Sequence, residues 1–239
     1  LTAQSFYGPL MGWEFEVSGQ PEMPYYLFSK QGVQVGGMMS LTEDMMSGGA
    51  KPIWTGYVEV DDVDASNAKA KGLGAVEYVP PTDIPDIGRF TMIADPQGAA
   101  IYMMEDKSGQ ASESFAKHEP REGHCAWNEL MTTDQEGAKA FYSAMFGWEK
   151  TDEMDMGPLG KYEMLSHDGN LMGAVMGTVP ETPFSYWLYY MRVADIDAAA
   201  EFVTSKGGTI LNGPMEIPGG DFTLQATDPQ GAIFALIGN

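Results

Sequence analysis

The sequence is poor in cysteine and in cationic side chains, and each shortage excludes a class of site. The single cysteine, Cys125, excludes an internal disulfide and a CxxC metal or redox motif, and its place at a strand start favours packing. Only 13 Lys and Arg stand against 34 Asp and Glu, which gives a net charge of −21. Nucleic acids and anionic membranes would repel such a chain, so we expect neither as a partner.

Long apolar runs are missing as well. No stretch approaches the roughly 20 apolar residues that span a bilayer. The first residues, LTAQSFY, have neither the basic region nor the apolar run of a signal peptide. We therefore expect a cytoplasmic protein. Its acidic residues are scattered, which favours a solubilising surface or an adaptation to high salt.

Apolar material is abundant. Hydrophobic residues make up 44% of the 239 residues, enough for two packed cores, and 18 residues are methionine. Flexible thioethers fill irregular cores and also line adaptable pockets. We expect most of these methionines to pack in the cores, with a ligand-facing role as the alternative.

An internal repeat organises the chain. The segment 54–64 (WTGYVEVDDVD) aligns with 187–197 (WLYYMRVADID), and DPQGA occurs at both 95–99 and 228–232. Both matches have the same offset of 133 residues. Near the start of each copy, a Phe-Tyr pair precedes Gly-Trp-Glu. Three ordered matches establish a duplication.

The duplication sets the predicted domains. We place a first domain at 1–105, a second at 123–239 and a linker at 106–122, where the sequence is polar and nearly free of apolar residues. Two similar domains in one chain reproduce internally what a single copy of such a domain would need a dimer to form. A monomer is therefore expected, with a homodimer as the alternative.

Periodicity predicts an α+β class. In the second copy a strand at 124–131 precedes a helix over 135–146, with Asp134 as its N-cap and Gly147 as its stop. Three short strands follow, and the pattern then repeats around a helix over 196–206. Each copy thus contains two strand–helix–three-strand (βαβββ) modules. In the first copy the helix at 2–11 comes first, so the first strand of the first module is absent, and we expect the natural protein to begin earlier.

The pattern F-Y-x(4)-G-W-E, a strand ending V-x-D-[VI]-D, and D-P-x-G before the last strand resembles the vicinal-oxygen-chelate (glyoxalase/bleomycin resistance/dioxygenase) superfamily. More narrowly, the chain is similar to tandem glyoxalase-like proteins of bacteria. The resemblance covers essentially the whole chain. It implies four βαβββ modules that form two half-open barrels, each around a cavity. It does not imply one reaction, because fold does not determine function.

Metal-dependent members of that superfamily hold a divalent ion with His, Glu or Gln from the first strands and Glu from the last strands. Transferred by position, those places fall on Trp127, Leu188, Ala235, Thr55 and Tyr102. None is a good ligand for a hard or borderline cation. We therefore predict no metal site and no cofactor.

Strand alternation predicts what faces the cavities instead. If Trp127 and Leu188 face inward, then Glu129, Tyr190 and Arg192 do so too. In the first copy, Thr55, Tyr57 and Glu59 would face inward by the same rule, and the transferred positions add Tyr102 and Ala235 to the cavity lining. Glu129 and Arg192 could anchor a polar ligand or form a structural ion pair, and Tyr57 and Tyr190 could bind ligand or bond within the barrel.

The leading hypothesis is a metal-free protein that binds a small apolar or aromatic oxygenated molecule in a barrel cavity. The first alternative is a lyase, isomerase or hydroxylase-type enzyme that uses Glu129, Tyr190 and Arg192 as catalytic groups. The second is a structural or interaction protein whose barrels are filled by their own side chains.

Overall fold

A computed structural model describes residues 2–18, 25–109, 111–116 and 118–239. The fold is α+β, with short helices and mixed sheets. Within these residues, no helix combines the length and the apolarity that crossing a bilayer demands.

The first repeat contains three helices and seven strands in its described part. In chain order they are α1 (Ala3–Met11), β1 (Glu14–Ser18), β2 (Tyr25–Lys30), β3 (Val33–Met39), α2 (Glu43–Ser47), β4 (Tyr57–Glu59), α3 (Val63–Gly72), β5 (Val76–Ile84), β6 (Gly88–Ala94) and β7 (Ala100–Asp106).

The second repeat contains two helices, eight strands and a 3₁₀ turn (Gly157–Leu159). Its elements are β8 (Cys125–Thr132), α4 (Gln135–Phe146), β9 (Glu149–Asp155), β10 (Lys161–His167), β11 (Asn170–Gly177), β12 (Tyr186–Arg192), α5 (Ile196–Ser205), β13 (Thr209–Glu216), β14 (Phe222–Thr227) and β15 (Ile233–Gly238).

One strand order recurs in three modules. The orders are β4-β7-β6-β5, β8-β11-β10-β9 and β12-β15-β14-β13. In each, the first strand pairs in parallel with the last and the other pairs are antiparallel. The first module has the order β1-β2-β3, and within its described residues no strand precedes α1.

The helix signals read from the sequence are confirmed. The Asp134 carboxylate accepts from the Gly137 amide at the start of α4, and Gly147 ends that helix in the left-handed conformation with φ of 70°. Helix α5 ends at Ser205, one residue before the predicted end, because Lys206 serves as its C-cap.

The position of strand β13 was not predicted, although the strand–helix–three-strand pattern implies a strand between α5 and β14. It contains Gly213 and Pro214, two residue types that are depleted in strand interiors, and its pairing with β14 shifts register between Asn212 and Met215. Because it is the outer strand of its sheet, it tolerates a residue without a backbone N–H.

The chain divides into two compact units that do not coincide with the two repeats. One comprises 1–54, 111–127 and 189–239, and the other comprises 55–110 and 128–188. Each unit therefore combines one module from each repeat: the first with the fourth, and the second with the third. The predicted domains 1–105 and 123–239 correspond to the two sequence repeats. The compact units instead take one module from each repeat.

The repeated motifs explain this grouping. In the first unit, the Trp54 indole donates to the Tyr7 hydroxyl at 3.0 Å, and that hydroxyl donates to the Asp228 carboxylate at 3.0 Å. Tyr7 and Trp54 come from the first repeat and Asp228 from the second. The motifs that reveal the duplication thus hold modules of different repeats together.

The core of the first unit shows the same sharing. Phe6 lies 5.8 Å from Phe234 and 5.9 Å from Phe202, measured between ring centroids. Leu224 and Leu236 are fully buried in the same cluster. Aromatic side chains of the first module and strand residues of the fourth therefore form one core.

Cys125 packs as expected. The residue is buried, and its Sγ lies 3.3 Å from the Trp127 carbonyl oxygen. Burial raises the pKa of this thiol to about 12. Such a thiol is a packing group rather than a nucleophile.

Candidate functional site

The sheet formed by β4, β7, β6 and β5 has two unlike faces. On one face Thr91, Ile93 and Met103 are fully buried. The other face is half-exposed, yet it carries apolar and aromatic side chains, which are Phe90, Met92, Tyr102 and Met104 on β6 and β7. A solvent-facing sheet surface is ordinarily polar, so an accessible apolar face is unusual and makes this face a candidate for ligand contact.

A pair of tyrosines lies at one edge of this face. Tyr57 of β4 pairs with Tyr102 of β7, and their rings stack with centroids 4.5 Å apart and planes at 11°. Tyr57 is 49% exposed, whereas Tyr102 is half-buried. The stack gives a flat aromatic surface that a planar ligand can extend.

Glu129 is a buried carboxylate in the same compact unit. It is only 4% exposed, and its Oε2 accepts a hydrogen bond of 2.8 Å from the hydroxyl of Tyr162 on β10. Glu129 pairs with Ala174 on β11, and Ala174 pairs with Met164 on β10, which places these side chains on one face of the sheet. A buried carboxylate among apolar neighbours is costly unless hydrogen-bonded, and such groups cluster at functional sites.

Tyr186 adds a second phenol to this cluster. Its hydroxyl lies 3.4 Å from that of Thr182. Burial raises the pKa of Tyr186, and the nearby charge of Glu129 raises it further. The cluster of Glu129, Tyr162 and Tyr186 places a carboxyl acceptor next to two phenol hydroxyls, an arrangement that can bind a ligand hydroxyl group.

Two predicted catalytic residues lie in the other compact unit. Tyr190 is buried, and its hydroxyl accepts from the Gln225 amide at 2.8 Å. Arg192 forms a bidentate pair with Asp221, with distances of 2.8 and 3.0 Å. Glu129 belongs to 128–188, whereas Tyr190 and Arg192 belong to 189–239, so the three predicted catalytic residues are divided between units.

The remaining predicted cavity residues differ in exposure. Leu188 and Ala235 are completely buried, Thr55 and Trp127 are half-buried, and Glu59 is exposed. Ala235 pairs with Tyr190 across the parallel strands β15 and β12. The structure therefore brings Tyr57 together with Tyr102, and Tyr190 together with Ala235.

Sequence reasoning missed Tyr162 and Tyr186. Alternation along β10 could have placed Tyr162 on the same face as Met164. The approach of Tyr162 to Glu129, however, depends on the β8-β11-β10 order, and periodicity contains no information on that order.

The donor set does not fit the divalent ion of the metal-dependent superfamily members. Among the described residues, no group of three or more His, Cys, Asp and Glu side chains is arranged to hold a metal ion. The positions that would supply ligands carry indole, aliphatic, hydroxyl and phenol groups, and a neutral phenol or alcohol is a poor ligand for Mn²⁺, Fe²⁺ or Zn²⁺.

Comparison with known proteins agrees with this fold. Residues 122–236 match the family model described as Glyoxalase/Bleomycin resistance protein/Dioxygenase superfamily. The Mycobacterium tuberculosis protein named "Putative glyoxylase CFP32" is 32% identical, over 98% of this chain and 88% of that protein. The "Anthracycline biosynthesis protein DnrV" of Streptomyces peucetius is 28% identical, over 97% of this chain and 86% of that protein.

Solved structures show the same fold at low identity. The Mn(II)-bound glyoxalase from Novosphingobium aromaticivorans has a TM-score of 0.59 at 18% identity, covering 98% of this chain and 76% of that one. Homoprotocatechuate 2,3-dioxygenase from Arthrobacter globiformis has a TM-score of 0.60 at 14% identity, covering 99% and 74%. The chain therefore belongs to the glyoxalase/bleomycin resistance/dioxygenase superfamily.

Proposed function

We propose that the chain binds a small apolar or aromatic molecule carrying an oxygen function, without a metal ion, in the unit formed by 55–110 and 128–188. The observation that carries this proposal is the accessible face of β4, β7 and β6, on which aromatic and methionine side chains replace the polar residues of an ordinary solvent-facing sheet. Family resemblance implies that the second and third modules curl into a half-open barrel, so this face and the Glu129 face would line one cavity.

The chemistry of the two faces defines the ligand class. The Tyr57–Tyr102 stack and the neighbouring methionines offer an apolar surface to a planar molecule. The Glu129 carboxylate accepts a hydrogen bond from a ligand hydroxyl, as it does from Tyr162. Two relatives are named for anthracycline biosynthesis, which is consistent with an oxygenated aromatic ligand.

Calorimetric titration with 2-naphthol and with its O-methyl ether tests this proposal. Only the naphthol can donate to Glu129, so wild-type protein should prefer it. The isosteric Glu129→Gln variant should lose most of that preference, about tenfold in affinity, because a hydrogen bond to a charged acceptor is stronger than one to an amide. Glu149→Gln, at an exposed position on β9, is the matched control.

Absence of naphthol binding would instead favour a structural protein whose barrels are filled by their own side chains. Equal affinity of wild type and Glu129→Gln would remove Glu129 from the site. Metal analysis of the purified protein tests whether binding is independent of a metal ion. Stoichiometric Mn, Fe, Ni or Zn would overturn that part of the proposal.

An enzymatic role for Glu129 is the second candidate, and its burial beside two phenols is the observation that favours it. A carboxylate in such surroundings can accept a proton from a substrate carbon or hydroxyl. Turnover of an oxygenated aromatic substrate, once one is found, should then vanish in Glu129→Gln while the unfolding midpoint stays unchanged. Tyr190 and Arg192 belong to the other unit. They would share the catalytic role only if their own substitution also abolished turnover.

A further inference from the structure

A cationic cavity lies in the compact unit that does not contain Glu129. Its volume is about 410 Å³, within the range of small-molecule sites. Lys30, Arg121 and Arg192 line it together with His124, and Glu122 lies on the same wall. The chain has only 13 Lys and Arg and a net charge of −21, so three cations around one cavity are a marked local concentration.

The three cationic side chains are only partly engaged by groups of the protein, so they can still interact with a ligand. Lys30 Nζ donates to the Met11 carbonyl oxygen at 2.9 Å, a neutral acceptor that leaves its charge uncompensated. Arg121 Nη1 forms a 2.8 Å ion pair with Glu113, but both side chains are substantially exposed, so solvent screens this pair. Arg192 is the most engaged of the three, because Asp221 binds it through two nitrogens.

Two buried polar atoms at this cavity lack hydrogen-bond partners within the described part of the chain. They are His124 Nε2 and Arg121 Nε. His124 is only 3% exposed, and its Nδ1 lies 3.0 Å from the Glu122 carbonyl oxygen, which can only accept, so Nδ1 carries the proton of that bond. Buried polar atoms without partners are rare and expensive, and they need an explanation.

Backbone hydrogen bonds hold this wall in place. The Gly123 amide donates to the Arg192 carbonyl at 2.8 Å, and the Arg192 amide donates to the His124 carbonyl at 2.9 Å. The Trp13 indole donates to the Gly123 carbonyl oxygen at 2.8 Å. A wall fixed in this way loses little entropy when a ligand binds.

We infer that this cavity binds the carboxylate or phosphate group of a small metabolite. Arg121 Nε–H is a permanent donor, so it requires an acceptor oxygen, and an oxyanion supplies one while gaining from the charges of Lys30 and Arg192. His124 Nε2 can donate to the same oxyanion when the imidazole is protonated. Glu122 reduces the positive charge of the wall, which suits a single anionic group rather than a polyanion.

NMR titration with inorganic phosphate, and separately with acetate, tests this inference, at pH 6.5 with sodium chloride keeping the ionic strength constant. The chain has three histidines, so the His124 ring signal can be assigned by its loss in His124→Gln. In wild-type protein the His124 signal should move and saturate, while the signals of His118 and His167 should stay in place. Saturation by phosphate alone identifies a phosphate site, by acetate alone a carboxylate site, and by both a general oxyanion site.

Arg121→Gln should weaken the affinity by at least about tenfold, because it removes a charged donor to the ligand. Arg121→Lys keeps the charge but loses the guanidinium, and it should also bind more weakly. Lys161→Gln removes an exposed cation of the other unit and is the control. A His124 signal that stays in place with both anions, or that moves linearly together with the other two histidines, overturns the inference. Equal affinity in Arg121→Gln also overturns it.

Discussion

The hydroxyl of Tyr7 lies 3.0 Å from a carboxylate oxygen of Asp228, although 221 residues separate them in sequence. The same bond occurs in the other unit, where Tyr142 donates to Asp95 at 3.0 Å. Each aspartate also accepts from two backbone amides, one within its own D-P-x-G turn and one at the alanine that follows the turn. Each bond thus joins a helix of one repeat to a turn of the other.

Tyr7→Phe and Tyr142→Phe should each lower the free energy of unfolding by about 1–3 kcal/mol. Each change removes a donor to a buried carboxylate and leaves the indole of Trp54 or Trp187 without its acceptor. The two losses should be similar because the two networks are alike. Urea unfolding followed by tryptophan fluorescence measures them.

Tyr78→Phe is the control for these variants, because Tyr78 is 56% exposed and its hydroxyl can reach solvent. It should leave the unfolding free energy unchanged. A loss in Tyr78→Phe as large as in Tyr7→Phe would show that the effect does not come from the buried bond to aspartate.

The sequence allowed the modules to be predicted, because capping, turn chemistry and periodicity are local. Asp134 and Gly147 fixed α4 at both ends, and Asp168 and Gly169 form the predicted hairpin turn with positive φ. The grouping of modules was not predicted. It depends on long-range contacts such as Tyr7 with Asp228, and a repeat alignment pairs equivalent positions without showing which ones touch.

Glu163 is a second buried carboxylate, and it has a structural role. Its side chain is 5% exposed and lies 2.8 Å from Lys139 Nζ and 3.0 Å from Lys150 Nζ. Glu163→Gln should destabilise the protein by about 3 kcal/mol at pH 7, because it leaves partly buried ammonium groups with weaker partners. Glu153→Gln, at an exposed neighbour, should cost less. Equal losses in chemical denaturation would contradict this assignment.

The effect of Glu163 should also depend on pH. Burial alone raises the pKa of this carboxyl, but the bonds and charges of Lys139 and Lys150 outweigh it and hold the pKa below its ordinary value. A depressed pKa stabilises the fold above the unfolded-state value of about 4.3, and that contribution disappears as pH falls through the folded-state value. The difference between wild type and Glu163→Gln should therefore be constant from pH 6 to 7 and shrink below pH 4. A difference that grew on acidification would contradict the prediction.

Cys125 should react slowly in the native protein. With its pKa raised to about 12 by burial, its thiolate fraction at pH 8 is about a thousandfold below that of a free thiol. Modification by a disulfide reagent should be slower by at least that factor than in 6 M guanidinium chloride. Equal rates in the two conditions would show that the β8 start opens readily.

The candidate site was predictable only in part. Alternation from Trp127 identified Glu129, and the repeat identified Tyr57, because both follow from local register. Their partners Tyr162 and Tyr102 lie on other strands, and Tyr102 entered the prediction through family positions rather than through periodicity. The sequence did not predict that Glu129 and Arg192 lie in different compact units. The boundaries between the units fall inside strands β8 and β12, and alternation along a strand does not reveal such a boundary.

Tyr57→Ala should weaken binding of 2-naphthol, if the accessible face of β4, β7 and β6 is the binding surface. Tyr57 is 49% exposed, so its removal costs little packing, but it takes away one ring of the stack with Tyr102. An aromatic pair contributes about 0.5–1.5 kcal/mol beyond its buried area, which corresponds to a roughly two- to tenfold loss of affinity. Phe115→Ala removes an exposed aromatic ring from the other unit and should leave affinity unchanged. Tyr57→Ala also loses the stack with Tyr102, so its free energy of unfolding should fall by about the same 0.5–1.5 kcal/mol. A variant that stays folded at the titration temperature and binds naphthol more weakly assigns Tyr57 to the ligand surface, whereas a loss of stability with unchanged affinity would assign Tyr57 to packing.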